Sequence, residues 1–266
     1  MEMSSVNKLS AKVILVALFL NCMPAQGGRA TDQLEQLFLS KNIEGTVVVS
    51  SIDNGFEKTY NPQRASKKFS PASTFKILNT LIGLKYKVIN SKDSVFKWDG
   101  IKRGLSAWNQ DHTLESAFKV SCVWCYQNIA NEVGLLSYSK ELKAVSYGNE
   151  NVREPVDLNW LNGQLKISAN EQVGFLKKIV KASLPYEPEQ INILKNIMLV
   201  ESRSNYALYA KSGWTGAKLA VGWYVGYVIT ESGTFVFSMN MKMTDAAQAP
   251  LRKELVIESL KALDLI

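Results

Sequence analysis

The sequence predicts an α+β fold: one antiparallel sheet flanked by helices, with a helical subdomain inserted between its strands. Three observations carry this. Strand-like segments lie towards both ends of the chain, a long stretch of helical period separates them, and strand and helix do not alternate. Residues 31–39 form a short amphipathic pattern that predicts a helix. Residues 45–50 (Gly-Thr-Val-Val-Val-Ser) read as a buried strand. Asn54-Gly55 is a turn signal, and residues 57–60 follow as the returning strand. From Ser70 to about Asn196 the period is mostly helical, most clearly over residues 113–133 and 168–180. Residues 206–211, 221–228 and 235–241 are rich in aromatic and β-branched side chains and predict strands. Pro250 opens a last amphipathic helix that runs to Leu263. The first hairpin and the last strands then share one sheet, and the helical middle is the insertion. Internal repeats, a Gly-x-Gly-x-x-Gly motif and a P-loop are absent from the sequence.

Composition narrows the class. In 266 residues, 46% are hydrophobic and 21% charged, which excludes disordered, collagen-like and low-complexity chains. The formal net charge of +7 is compatible with small anionic ligands, a membrane surface or nucleic acid. The positive charges form no dense run, so nucleic acid is not expected. Trp98, Trp108 and Trp223 fit packing better than a base-stacking surface. The single histidine, His112, excludes a multi-histidine metal site, and no metal is expected. It is also the one residue a Ser-His-Asp relay could use. Its place after Asp111, ahead of a helix starting near Thr113, fits a capping-region or surface histidine instead.

The N-terminus has the order of a secretory signal. Lys8 and Lys12 precede the apolar run 13–20, and small residues follow around Gly27. A membrane-spanning helix needs about 20 apolar residues, more than this run supplies. Residues 1–27 are therefore expected to be removed, with cleavage near Gly27 or Ala30, leaving 28–266 as one folded domain. Loss of Lys8, Lys12 and Glu2 lowers the net charge from +7 to +6. The mature protein is expected to be secreted across the inner membrane to the periplasm, without a transmembrane span. Cys22 falls within the signal, leaving Cys122 and Cys125 as a Cys-x-x-Cys pair. A redox motif and a zinc site are alternatives. Two small buried residues on one helix are favoured, because a disulfide across a helical turn is geometrically demanding.

Ser70-Pro71-Ala72-Ser73-Thr74-Phe75-Lys76 combines several signals. Ser70 suits a helix N-cap and Pro71 the first helical position. Ser73 then lies in the first turn, where backbone N–H groups lack intrahelical acceptors. Lys76 follows three residues later on the same face. Ile77, Leu78, Leu81, Ile82 and Leu84 surround the helix with apolar groups and predict burial. Burial lowers the pKa of a lysine and yields a neutral amine. A hydroxyl nucleophile, a base and oxyanion donors within one turn suit acyl transfer. The same residues also fit an ordinary helix-terminal serine with a snorkelling lysine.

Further motifs decide between these. Ser73-Thr-Phe-Lys76, Ser121-Cys122-Val123 and Lys211-Ser212-Gly213 occur in the order of the penicillin-binding and β-lactamase set, with Tyr147-Gly148-Asn149 and Trp160 between them. Ser-x-Val, Tyr-Gly-Asn and the tryptophan resemble the class D serine β-lactamases, the oxacillinases. The likeness extends over nearly the whole mature chain, and it implies the β-lactamase/transpeptidase-like fold. It implies that Ser73 attacks a β-lactam carbonyl and forms an acyl-enzyme. It implies that carbon dioxide or bicarbonate modifies Lys76 to a carbamate that acts as general base, held by Trp160 in a pocket kept apolar by Val123 and Leu161. No bound organic cofactor is implied. Ser121 would relay a proton to the leaving nitrogen. The N–H groups of Ser73 and Trp214 would form the oxyanion hole. Lys211, Ser212 and Arg252 would bind the substrate carboxylate, with Gly213, Trp214 and Trp108 completing the substrate site. Ser212 stands where the family more often has threonine and keeps the hydroxyl. Tyr147 is expected as a structural wall and Glu154 as a surface residue. The partners implied are small-molecule β-lactams, and the implied outcome is antibiotic resistance. A transpeptidase and a membrane-tethered β-lactam sensor are the rival readings. The carbamate pocket and the signal-length N-terminus favour a hydrolase.

Overall fold

The computed structural model describes residues 1, 26–53 and 55–266, with side chains of 26–32 excepted. The expected signal peptide falls, for residues 2–25, outside the described residues. The chain runs α1 (Gln26–Ser40), β1 (Gly45–Ser51), β2 (Glu57–Tyr60) and α2 (Pro62–Ser66). The inserted part holds α3 (Lys76–Lys85), β3 (Val95–Phe96), β4 (His112–Thr113), α4 (Leu114–Lys119), α5 (Val123–Val133), α6 (Leu135–Val145), α7 (Ala169–Val180) and α8 (Pro188–Met198). It returns to the sheet through β5 (Leu199–Ser202), β6 (Tyr206–Trp214), β7 (Val221–Thr230) and β8 (Gly233–Lys242), and ends in α9 (Leu251–Ala262).

Among the described residues the main sheet has the order β2-β1-β8-β7-β6-β5, antiparallel throughout. The N-terminal hairpin thus joins the C-terminal strands, as the sequence predicts. Side chains alternate between two cores with the strand period of 2. Val47, Val49, Phe235, Phe237 and Met239 pack in the core that includes Leu34 and Phe38 of α1 and Leu255 and Leu260 of α9. Val48, Trp223, Val225, Tyr227 and Val236 face the other core, shared with α3, α5 and α7. Apolar material on both faces explains why β1 and most of β7 read as continuous hydrophobic runs.

The predicted helix over 113–133 is broken. α4 ends at Lys119 and α5 starts at Val123, with Ser121 at φ +56° between them. The left-handed conformation cannot continue an α-helix of L-residues. The predicted helix over 168–180 is found as α7, with Ser168 and Glu171 forming a reciprocal capping box. β3, β4 and β5 are strands that the periodicity does not predict. The first two are two residues long and the third is a four-residue edge strand.

Candidate active site

The Ser73 turn is clamped from two sides. Ser70 Oγ donates to Trp160 O at 2.7 Å, and Ala72 N–H donates to the same carbonyl at 3.0 Å. Trp223 Nε1–H donates to Ser70 O at 2.9 Å from the sheet. Ser70 is therefore not a helix cap. Its buried hydroxyl takes the Trp160 carbonyl as partner, as a buried polar group requires. Pro71 occupies the cap position of a 3₁₀ turn, Ala72–Phe75, and α3 starts only at Lys76. Ser73 thus lies in a tight turn ahead of the α-helix.

Lys76 is fully buried, and its Nζ donates to Ser73 Oγ at 3.2 Å. The Nζ also stands 5.0 Å from the centroid of the Tyr126 ring. Burial disfavours the ammonium and pulls the Lys76 pKa down to about 7. Trp160 is buried, its ring stacked on Phe75 at 5.4 Å. Its indole Nε1–H has no hydrogen-bond partner among the described residues. A buried donor without an acceptor is costly, which makes this N–H available to an added anion.

Ser121 stands in the break between α4 and α5, where Lys211 Nζ donates to its Oγ. Lys211 Nζ also donates to Ser212 O at 3.0 Å. Burial holds the Lys211 pKa well below its usual value, and the charges of Lys76 and Arg252 add to the effect. On β6, a Cβ at Gly213 would lie 3.0 Å from Pro71 O and 3.3 Å from Ser73 N. Glycine there lets the strand approach the Ser73 turn. Arg252 Nη1 donates to Gly213 O at 2.7 Å and Nε to Ala249 O at 3.0 Å. Trp214 Nε1–H donates to Met243 O at 3.0 Å.

These groups open on one cavity of about 320 Å³. Ser73, Ser121, Val123, Leu161, Ser212, Gly213, Trp214, Arg252 and Trp108 all line it. Lys76 joins it through Ser73, and Lys211 through Ser121. The predicted site residues therefore converge, although the Trp160 indole makes no hydrogen bond to Lys76. Leu105, Lys119 and Val120 also line the cavity, and no motif singles them out. Sequence reasoning misses Trp124 too. Its Nε1–H donates to Trp108 O at 2.9 Å, while Trp108 Nε1–H donates to Val120 O at 3.0 Å. The two tryptophans tie the 105–109 loop to the Ser121 turn. A large aromatic with a polar handle directly after Val123 is the available signal.

Two expectations are corrected here. Cys122 and Cys125 form a disulfide rather than a pair of free buried thiols. Cys122 is the N-cap of α5, with φ −49° and ψ 111°, so the bridge joins a non-helical cap to the first turn rather than two residues inside the helix. That backbone places the two Cα atoms 5.5 Å apart, within the range a disulfide spans. His112 is buried on β4 rather than capping a helix or lying on the surface. The cap of α4 is Thr113, which accepts from Ser116 N–H. The His112 ring meets Ser116 Oγ at 3.0 Å through Nδ1 and Ala107 O at 2.9 Å through Nε2. Both ring nitrogens are occupied by local partners. His112→Ala is expected to lower the unfolding free energy by about 1–3 kcal/mol through lost hydrogen bonds and packing, with kcat retained. Parallel thermal melts and turnover assays check this, and a loss of kcat beyond the loss of folded protein contradicts it.

Tyr147 and Glu154 stand as the sequence predicts. Tyr147 is buried against Phe75 at 5.5 Å and Phe175 at 5.1 Å, as a wall. Glu154 is exposed and accepts from Val156 N–H at 3.2 Å. Among the described residues, no helix is long and apolar enough to cross a membrane, and no group of three or more potential metal ligands is found.

Residues 41–261 match the family model of the penicillin-binding protein transpeptidase domain. The chain is 39% identical over 225 residues to Beta-lactamase OXA-48 of Klebsiella pneumoniae, covering 84% of this chain and 85% of that protein. It is 36% identical over 226 residues to Probable beta-lactamase YbxI of Bacillus subtilis (strain 168), covering 85% and 83%. Among solved structures, the class D β-lactamase YbXI from Nostoc superposes with a TM-score of 0.85 at 34% identity, covering 88% of this chain and 99% of that one. FUS-1 (OXA-85), a class D β-lactamase from Fusobacterium nucleatum subsp. polymorphum, gives 0.85 at 35% identity, covering 88% and 98%. Motif order, sheet topology, site geometry and these likenesses agree, and the chain belongs to the class D β-lactamases, hydrolases within the penicillin-binding-protein transpeptidase family.

Proposed function

We propose that this protein hydrolyses β-lactam antibiotics through an acyl-enzyme on Ser73 and thereby confers resistance. The observation that carries the reading is the buried Lys76 amine, 3.2 Å from Ser73 Oγ and with its pKa drawn down to about 7. Ser73 Oγ attacks the lactam carbonyl carbon and gives up its proton to the base at Lys76. The N–H groups of Ser73 and Trp214 receive the developing oxyanion. Ser121 Oγ delivers a proton to the lactam nitrogen as the carbon–nitrogen bond breaks, with Lys211 Nζ holding the hydroxyl in place. The proton held at Lys76 passes to Ser121, which restores both groups. A water molecule then loses a proton to Lys76 as it attacks the acyl carbon, and that proton returns to the Ser73 oxygen as the acyl–oxygen bond breaks.

The residues at Lys76 fit modification by carbon dioxide, which adds only to a neutral amine. When bound, that group supplies a carboxylate-type base at the end of the lysine. Trp160 offers the unpaired buried N–H suited to it, a donor-only group. Val123 and Leu161 add apolar side chains beside Ser73 in the cavity. Lys211, Ser212 and Arg252 bind the substrate carboxylate. An arriving anion offsets the burial that disfavours the charged form of Lys211. The Arg252 fork suits a planar carboxylate. Export through the signal at residues 1–27 would bring the enzyme to its substrates in the periplasm.

A chromogenic cephalosporin of the nitrocefin type, assayed with and without added bicarbonate, tests this reading. Sustained turnover that rises with bicarbonate is expected. A single stoichiometric burst would place the protein with the transpeptidases or sensors instead.

A further inference from the structure

A second cavity, of about 280 Å³, adjoins the candidate active site. Lys119 and Ser212 line both cavities, and Lys211 lines the second. Phe118, Ile197 and Met198, all buried, give it one apolar wall, beside the polar Lys211, Ser212 and Tyr224. At its edge, Leu199 and Val200 remain 40% and 44% exposed although both are aliphatic. They open β5, the edge strand of the sheet, where the pairing register with β6 shifts between Leu199 and Glu201. An apolar cavity of about 150 Å³ suffices to take a benzene ring. This one is larger and is rimmed by adjacent exposed aliphatics.

We infer that this cavity is a subsite for an apolar substituent on the carboxylate-bearing ring of the substrate, with Leu199 and Val200 as specificity-determining residues. The inference rests on the proposed β-lactam hydrolysis. Lys211 and Ser212 connect the two cavities chemically. They hold the substrate carboxylate in that mechanism and also line the second cavity. The substituent next to the carboxylate is therefore the part of the substrate that reaches it. The acyl side chain springs from the lactam ring, at the Ser73 end of the first cavity. The Lys119 ammonium, paired with Glu115 at 2.6 Å, makes the shared rim polar and leaves the selectivity to the apolar wall of Phe118, Ile197 and Met198 and to Leu199 and Val200.

Two cephalosporins with the same acylamino side chain provide the test. One carries a methyl group and the other a retained phenyl-bearing group on the ring carbon beside the carboxylate-bearing carbon. Leu199→Asp and Val200→Asp alter exposed positions, and thermal melts establish that each variant folds. Each is expected to reduce kcat/KM for the phenyl-bearing compound by about fivefold or more, mainly through KM, and for the methyl compound by less than about twofold. Two penicillins that differ only in the acyl side chain are expected to be affected alike. Equal losses for both cephalosporins, or no loss for either, overturn the subsite. If the unaltered protein acylates but does not turn over, the hydrolytic reading fails separately, and the ratio of acylation rates for the same pair still decides the subsite.

Discussion

Replacing Ser73 by alanine is expected to abolish β-lactam turnover, with a loss on the order of 10⁴-fold or more. The size of the effect follows from geometry. The Ser73 hydroxyl receives the Lys76 amine at 3.2 Å and lines the cavity, with β6 brought against its turn at Gly213. Removing the oxygen removes the atom that forms the covalent bond, so donors to an oxyanion have nothing to stabilise. Intact-protein mass spectrometry should detect a β-lactam adduct on the unaltered protein and none on the variant. Folding should survive. The turn is held by Ser70, Ala72 and Trp223 through bonds that do not involve the Ser73 side chain. The Lys76 amine loses its hydroxyl partner, at a cost of about 1–3 kcal/mol. An adduct on the folded Ser73→Ala protein would move the nucleophile elsewhere.

Part of this site is legible locally, but the segment around Ser73 also fits an ordinary helix-terminal serine, and the resemblance to the class D enzymes is what points to Ser121, Trp160 and Arg252. Ser73 and Lys76 share one turn, and Lys211, Ser212 and Gly213 are consecutive. The long strands are legible too, since β7 and β8 bury apolar side chains on both faces. What stays hidden depends on distant partners. Ser70 has the residue type of a cap, but a carbonyl 90 positions away claims its hydroxyl. The helical period through 113–133 persists because α4 and α5 both bury apolar faces. The break at Ser121 is a backbone event with φ +56° that the hydrophobic pattern does not record. The cysteine pair misleads for the same reason, because a bridge is easy once Cys122 lies outside the helix. β5 escapes notice because its four residues are largely exposed and carry no two-residue period of burial. The tie between Trp124 and Trp108 joins α5 to a loop 16 positions earlier, which no local motif encodes.

Lys76→Met is expected to lower turnover by roughly 10²–10⁴-fold, remove its dependence on bicarbonate, and stabilise the fold in a pH-dependent way. The amine is fully buried and its pKa falls from 10.5 to about 7. Between those values the unfolded chain holds a proton on Lys76 that the folded chain has released. Stability contributed at this site therefore rises with pH from about 7 to 10.5 and is flat below 7. At about 1.4 kcal/mol per unit, the full span is roughly 5 kcal/mol. Methionine fills a similar volume without a titrating group, so the variant should lose most of this slope. Lys211, held low in the same direction, keeps part of it. Urea unfolding in degassed buffer at about pH 6, 8 and 9 separates the two proteins while free tyrosines stay about nine-tenths protonated. The kinetic consequence has the same origin. About half of the Lys76 amine is neutral at pH 7 and roughly a tenth at pH 6, so bicarbonate should restore activity far better above pH 7 than below it. An unchanged stability slope in Lys76→Met would mean that the buried amine does not titrate near 7. Dependence on bicarbonate would then need a base other than this lysine. The opposing signs of the two effects distinguish a residue retained for chemistry from one retained for packing: the amine costs the fold stability over the pH range in which its neutral form is useful.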